Sequence, residues 1–481
     1  QNKFCEGTIC YTGDILDKTR NHYTLDYYVK MAKELEKRGV HAIAIKDMSG
    51  LLKPYAAKEL VHALKQEIAL PIHLHTHDTT SNQVATLLMA AEAGVDIVDT
   101  AIASMSSLTS QPSMNAVVAA LQGNSRETGL KLNELQKLTD YWADVRLRYK
   151  NFDRGLKTPV TDIYRYEIPG GQYTNLEPQV VSLGLGSRFQ EVKEMYKTVN
   201  DMLGDLIKVT PSSKMVGDLA IFMVQNDLTP ENIVARGESL TFPDSVVSYF
   251  KGMMGQPPCG FPEDIQNVVL KGEKPITCRP GELLEPVNFE QVRKEIEAFH
   301  PNPDMRDVIS YCLYPKVLED FWHYDREYGY LMRMGSHVFF YGMQVGETTQ
   351  INIEDGKTLV IKYLGLGDRN DDGTRQVIFE LNGSRREVTV PDQNAESTAN
   401  AVVMADPKDR GQIGASIPGM VTKVHVKAGD MVEENQVIAV VEAMKMETSV
   451  VARMSGHIEE VFIQEGSSVK AGELLMTMNC C

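Results

Sequence analysis

Near its C-terminus the chain writes one strand pattern twice. Gly419, Val421, Val424, Val426, Gly429, Val432 and Val437 recur 37 positions later as Gly456, Ile458, Val461, Ile463, Gly466, Val469 and Leu474. Alternating apolar residues mark short half-buried strands, and the repeated glycines mark the turns between them. Neither copy can bury its apolar face alone. The pattern therefore predicts two small sheets packed face to face and related by a pseudo-twofold. Lys445, in the run Ala443-Met444-Lys445-Met446, falls on the hairpin that joins the copies, at the exposed end of the sandwich. A single lysine is ordinarily a solvated surface charge. Methionines on both sides of an exposed turn serve no packing purpose, so here the pattern points to a site.

The N-terminal segment has a different rhythm. Short apolar runs at Gly7 to Tyr11, Ala42 to Lys46, Pro71 to His75 and Val95 to Thr100 alternate with amphipathic helices around 24–38, 54–69 and 82–93. Parallel strands covered by helices read this way, and the cadence is that of a (β/α)8 barrel of the TIM type. Only four units are present, and four cannot close a barrel. The expectation is that a partner chain or an upstream segment supplies the rest; the start at Gln1, just ahead of a strand, gives the same expectation.

In such barrels the chemistry sits at the C-terminal strand ends. The second strand ends in Ile45-Lys46-Asp47-Met48 and the third in His73-Leu74-His75-Thr76-His77-Asp78-Thr79; the fourth leads to Leu108-Thr109-Ser110-Gln111-Pro112. Strand alternation puts His73, His75 and His77 on one side. His75 and His77 can turn imidazole nitrogens onto one cation, and imidazole suits Zn²⁺, Mn²⁺ or Co²⁺ better than Mg²⁺ or Ca²⁺. His73, the deepest, reads better as a satisfied polar residue. Lys46 has three readings: a salt bridge to Asp47, a Schiff-base lysine, or a CO₂-carboxylated lysine serving as an anionic metal ligand. A Schiff base needs a depressed pKa, and the last reading supports a histidine-held metal. Thr109 is either a strand-end residue capping the next helix or a proton relay, since a hydroxyl donates and accepts at once.

With 481 residues, 43% hydrophobic and 24% charged, the chain has room for two to four domains of ordinary globular composition. A net charge of −16 argues against nucleic acid or an anionic membrane as partner. No apolar run reaches transmembrane length. Seven scattered cysteines without a C-x-x-C pair fit free thiols in a reducing, cytoplasmic compartment.

Ala443-Met444-Lys445-Met446 resembles the attachment site of biotin carboxyl carrier domains. Together with Lys46-Asp47-Met48, His75-Thr76-His77-Asp78 and Leu108-Thr109-Ser110-Gln111-Pro112, it resembles the pyruvate carboxylase family. So do Tyr11-Thr12-Gly13-Asp14, Pro169-Gly170-Gly171-Gln172-Tyr173, Val209-Thr210-Pro211-Ser212-Ser213-Lys214, Val224-Gln225-Asn226-Asp227 and Arg279-Pro280-Gly281-Glu282. The resemblance implies a multidomain chain: residues 1–122 as the last four βα units of a carboxyltransferase barrel, 123–303 as its helical extension, and 304–392 as a tetramerisation domain. Residues 393–410 would be a linker and 411–479 the carrier sandwich. It implies biotin on Lys445, attached by a biotin protein ligase, and a Zn or Mn ion held by carboxylated Lys46, His75 and His77. Carboxybiotin would release its CO₂ at the barrel mouth, and Thr109 would relay a proton as pyruvate becomes oxaloacetate. An ATP- and bicarbonate-dependent biotin carboxylase half, acetyl-CoA activation and a homotetramer exchanging carriers also follow from the resemblance. The family's metal-binding aspartate and pyruvate-binding arginine have no match in this chain.

Two departures lie at the mouth of the site. Thr80-Ser81 stands where the family usually has Ser-Gly, and Ser107 where a glycine is common. Residues 131–150, 188–203, 212–226 and 304–335 read as helices, and Val338 to Val390 as strands with turns at Asn370–Gly373 and Asn382-Gly383. Two alternatives stand beside the carboxylase reading: an α subunit of an oxaloacetate decarboxylase or a transcarboxylase, and a biotin carrier or assembly scaffold without its own complete active site.

Overall fold

Four parallel strands, β1 (Glu6–Tyr11), β2 (Ala42–Asp47), β3 (Ile72–Thr76) and β4 (Ile97–Val98), hydrogen-bond in sequential order. Their connections are α1 (Leu25–Lys37), α2 (Pro54–Glu67) and α3 (Gln83–Ala93), with α4 (Met114–Leu121) after β4. Thr24 caps α1 through its side chain, and left-handed Gly94 ends α3. One sheet face is apolar: Ile9, Ile45 and Leu74 are buried in the same core as Leu60, Leu64 and Leu87 of the helices. The opposite face carries Cys10, Lys46 and His75, all half-buried. The sheet is thus four consecutive barrel units, as expected. β4 is shorter than its apolar run, and beside it the Asp96 carboxylate accepts the Ile72 amide and pairs with Lys65.

The computed structural model describes residues 3–480 except 154–155, 238, 258–259, 330, 371–372, 393–402, 407–408 and 444–445. It divides into two compact units, Gln1–Glu282 with Val402–Cys481, and Leu283–Ala401. In the first unit the sheet is followed by α5 (Leu132–Arg148), α6 (Ile163–Tyr166), α7 (Gly170–Ser182), α8 (Phe189–Met202), α9 (Ser212–Gln225), α10 (Ile233–Gly237), α11 (Asp244–Phe250) and α12 (Glu263–Leu270). α9 is the apolar axis of this extension, with Met215, Val216, Leu219 and Met223 fully buried.

The second unit holds α13 (Phe289–Glu297), α14 (Met305–Leu313), α15 (Pro315–Tyr328) and α16 (Ser336–Tyr341), then an antiparallel meander of β5 (Thr348–Glu354), β6 (Lys357–Arg369), β7 (Thr374–Leu381) and β8 (Ser384–Pro391). The unit begins ahead of the expected boundary at 304, because Ile296 of α13 packs with Val308 and Trp322. Val338 to Tyr341, expected as strand, is helical. Glycines 335 and 342 bound this short run, and it has no strand partner. The Asn382-Gly383 turn is as expected, both residues having positive φ. Most of the expected 393–410 linker lies outside the described residues.

The repeat folds as its symmetry requires. Its strands are β9 (Gln412–Gly414), β10 (Gly419–Val424), β11 (Met431–Val432), β12 (Val437–Ala443), β13 (Met446–Val451), β14 (Gly456–Val461), β15 (Ser468–Val469) and β16 (Leu474–Cys480). One sheet runs β13-β12-β10-β15 and the other β11-β14-β16-β9. A shift of 37 residues carries β9, β10, β11 and β12 onto β13, β14, β15 and β16, so it turns one sheet order into the other. Each sheet mixes both copies, and the pseudo-twofold is built into the hydrogen bonding. β12 and β13 pair as far as Ala443 opposite Met446. Lys445 falls in sequence between these strand ends and lies outside the described residues.

Candidate functional site

Cys10, Lys46 and His75 occupy one rung across β1, β2 and β3 and share the open face. Lys46 therefore stands beside His75. Asp47, one residue on, points the other way and is fully buried. Its carboxylate accepts the amides of Ser49, Gly50, Leu51 and Leu52 at 2.9–3.3 Å and the Thr76 hydroxyl at 2.8 Å. Asp47 is the organiser of the loop after β2. Among the described residues Lys46 makes no ion pair with it, which removes the salt-bridge reading of Lys46.

The histidine rings are oriented by what their Nδ1 atoms touch. His75 Nδ1 lies 2.7 Å from an Asp99 oxygen, and His77 Nδ1 lies 2.6 Å from the Thr109 carbonyl. A carbonyl only accepts, so His77 carries its proton on Nδ1, and its Nε2 keeps a lone pair. Among the described residues neither Nε2 makes a hydrogen bond. Metal-ligating histidines are held in this way, with the second nitrogen donating to a carboxylate or carbonyl. The two rings sit 5.3 Å apart, nearly edge to face. Burial, with the neighbouring His75 and Lys46 charges, holds the His77 pKa below its usual value. His77 is therefore neutral at neutral pH, as a ligand must be.

His73 is different. Its ring nitrogens lie 2.8 Å from Asp99 and 3.0 Å from Glu6. Burial works against its protonation, but the two carboxylates outweigh it and raise its pKa. It is a satisfied polar residue. Asp99 is the residue that sequence reasoning missed: burial would raise its pKa, but its hydrogen bonds to His73 and His75 hold it below the usual range. An acidic residue at the C-terminal end of the fourth apolar run was the available signal.

Glycines admit His77. A Cβ at Gly170, the first residue of α7, would lie 2.9 Å from its Nδ1, and one at Gly50 would lie 2.4 Å from its carbonyl oxygen. The Pro169-Gly170-Gly171 motif thus lets a helix close over the ring. The Thr109 hydroxyl lies 3.1 Å from that of Thr174 on α7. A second hydroxyl, Thr210, lines a cavity of 460 Å³ with Thr8 and Cys10 of β1, Pro211 and Ser212.

The two departures have a shared backbone cause. Ser81 and Ser107 have φ of +60° and +71°, the left-handed region that favours glycine. Ser107 differs in that its side chain lies near Asp78, a buried carboxylate whose pKa burial raises and the Ser107 hydroxyl works to lower. Ser81→Gly is expected to change stability by no more than about 0.5–1 kcal/mol, in the stabilising direction, because relief of strain exceeds the entropy cost. Ser107→Gly gains the same relief but takes that hydroxyl away from Asp78, and is expected to be less stable than Ser81→Gly by about 1–3 kcal/mol. Thermal melts of the two variants check this order.

Among the described residues no three or more His, Cys, Asp and Glu side chains converge as a metal cage. The donor set is two imidazoles with free Nε2 beside a lysine amine. It fits a divalent ion provided Lys46 is converted to an anionic oxygen ligand. No helix among the described residues is long and apolar enough to cross a membrane.

Residues 18–141 match the HMGL-like family, residues 163–362 the Conserved carboxylase domain, and residues 410–478 the Biotin-requiring enzyme family. These matches, on a half-barrel and a two-sheet repeat, make the chain similar to the carboxyltransferase and carrier parts of biotin-dependent carboxylases. Within that class the chain is a homologue of the pyruvate carboxylases along nearly its whole length. It is 50% identical to the pyruvate carboxylase of Bacillus subtilis over 98% of this chain and 41% of that protein. It is 44% identical to the mitochondrial enzyme of Mus musculus over 98% of this chain and 40% of that one. The carboxyl transferase domain of Rhizobium etli pyruvate carboxylase in complex with pyruvate and biocytin aligns with a TM-score of 0.78 at 47% identity, covering 82% of this chain and 66% of that one. The complete multifunctional Rhizobium etli enzyme aligns at 0.77 and 44%, covering 99% and 44%. The chain spans about two fifths of the length of the curated relatives it matches.

Proposed function

We propose that this chain supplies the carboxyltransferase and biotin-carrier parts of an enzyme that carboxylates pyruvate to oxaloacetate. The observation that carries the reading is the pair of imidazoles, His75 and His77, each anchored through Nδ1 and free at Nε2, beside Lys46. His75, His77 and carboxylated Lys46 would hold a Zn or Mn ion, which when bound supplies Lewis-acid polarisation of a substrate carbonyl. Lys445 is the site for covalent biotin, which when attached carries the carboxyl group to be transferred. Asp99 and the Thr109 carbonyl hold the rings in register. Asp47 shapes the loop beyond Lys46, and α7 excludes water from one side of His77. The full reaction draws on an ATP- and bicarbonate-dependent half outside this chain.

Two hydroxyls are candidates for the proton relay between the substrate methyl group and biotin. Thr109 is the one the sequence blocks single out. Thr210 has its own support, since it lines an open cavity beside Cys10, while Thr109 is engaged with Thr174. In the natural protein containing this chain, supplied with pyruvate, ATP and bicarbonate, the relay residue changed to Ala is expected to lose kcat by about 10²–10⁴-fold with little change in KM for pyruvate. The other variant should retain most of its turnover. Loss of neither would refute the hydroxyl relay.

The same reading takes residues 304–392 as a tetramerisation domain in a homotetramer that exchanges carriers. Ile309, Leu313, Val317 and Phe321, all exposed on α14 and α15, support an assembly surface. Acetyl-CoA activation, a cytoplasmic location, modification by a biotin protein ligase and the 393–410 linker rest on the resemblance.

A further inference from the structure

Two loops set parts of the site in place, one entering α7 and one entering α9. The first runs from Glu167 to Gly170, whose amide donates to the Met48 carbonyl at 2.8 Å and whose bare Cα admits His77. The second runs from Asp205 to Thr210, on the wall of the 460 Å³ cavity. Glu167 and Lys208, one in each loop, are almost wholly buried, and Lys208 Nζ lies 3.0 Å from the Glu167 carboxylate. The other carboxylate oxygen pairs with Arg20, in the loop after β1. Lys208 also donates to the Leu206 carbonyl at 3.2 Å and stands 3.6 Å from Asp205. Asn200 of α8 holds Asp205 in turn, its side-chain amide donating at 2.8 Å.

A buried ion pair is a poor way to gain stability, since well-packed apolar side chains in its place are often no worse. Geometry is what this cluster supplies. One carboxylate with an oxygen for each cation sets three loops at fixed separations. Both acidic members also stand in the left-handed region, with φ of +56° at Glu167 and +57° at Asp205. A residue other than glycine stays there only where its surroundings over-determine it, and such strain gathers at functional sites. The fit extends to Gly13, where a Cβ would lie 2.8 Å from Arg20 Nη1. The held loops bear on the chemistry, because α7 carries Gly170 over His77 and Thr174 against Thr109, while the other loop carries Thr210.

We propose that Glu167 is a positioning residue of the carboxyltransferase site. Through Lys208 and Arg20 it fixes the Thr210 segment against the start of α7, and so fixes both candidate relay hydroxyls relative to His77. Its kinetic consequence rests on the pyruvate reading; the tie between the loops does not.

The test compares Glu167→Gln and Lys208→Met with the parent, in the natural protein containing this chain and far below its melting temperature. Each variant is expected to lower kcat for pyruvate carboxylation about tenfold to a hundredfold, as roughly 1 Å of misplacement does. KM for pyruvate should change by less than about twofold. The double variant should turn over no more slowly than the worse single one, whereas independent roles would multiply the losses. Lys208→Met keeps the Glu167–Arg20 pair, so it decides the matter where Glu167→Gln fails to fold. Hydrogen exchange reads the tie without turnover. Lys208→Met should speed exchange in segment 167–171 about tenfold, and Glu167→Gln should do the same in segment 206–209, with β3 unchanged. A lowered melting temperature with kcat intact, losses that multiply, or faster exchange confined to the substituted loop would each overturn the proposal. A parent that does not carboxylate pyruvate, with the reciprocal exchange intact, would fault the pyruvate reading and leave the tie standing.

Discussion

Lys445→Arg is expected to reduce biotin incorporation to background and, in the natural protein containing this chain, to abolish carboxylation of pyruvate. Acylation needs a neutral amine nucleophile, and a guanidinium, which stays protonated throughout the working pH range, supplies none. Arginine keeps the charge and nearly the length of lysine, so loss of modification cannot be laid to an altered surface. The sandwich itself should be indifferent to the change. Its core is Val421, Ile438, Val441, Ile458 and Leu475, all buried and contributed by both copies of the repeat. Streptavidin blotting beside a thermal melt reads both quantities: signal absent and melting temperature unchanged. Persistent signal would move the modification to another lysine.

Asp47→Ala is expected to be among the most damaging single changes in the barrel segment. The carboxylate holds four consecutive loop amides and the Thr76 hydroxyl while fully buried. Removing it leaves buried N–H groups unpaired, at a cost of about 1–3 kcal/mol for each one that neither relaxation nor water rescues. A total of about 3–5 kcal/mol is expected, comparable to breaking a buried ionic interaction. Asp47→Asn keeps one acceptor oxygen but adds a donor facing amide donors, and should recover only part of the loss. Chemical unfolding of the two variants would show the order wild type, Asn, Ala; equal midpoints would contradict the role given to Asp47.

What could be read from sequence divides along physical lines. The repeat specified the carrier because a two-residue period and paired glycines leave few ways to bury both copies, and the exchange of strands between sheets follows from its symmetry. The βα cadence gave four strands and their helices, since each strand's apolar face had to be covered. Side-chain partnerships were a different matter. Strand alternation puts Asp47 on the face opposite Lys46, but nothing local shows that Asp99 bridges two histidines, because that depends on register between strands. The glycine-favouring backbone at Ser81 and Ser107 was legible only as a departure from the family's residues. Ser449 and Asp244 are 205 positions apart, and their contact comes from packing between segments. The short helix from Ser336 to Tyr341 lay in an apolar, aromatic run whose period is too brief to separate helix from strand.

The central claim is that His75 and His77, with Lys46, hold a divalent ion at the end of the barrel strands. Metal content of the natural protein containing this chain, purified beside its His75→Ala and His77→Ala variants and measured by plasma mass spectrometry, tests it most directly. About one Zn or Mn per chain is predicted for the parent, and a loss of about ten- to a hundredfold or more in affinity for each variant, at least matching the effect of removing an outer-shell partner. Equal metal content in all three proteins would contradict the site.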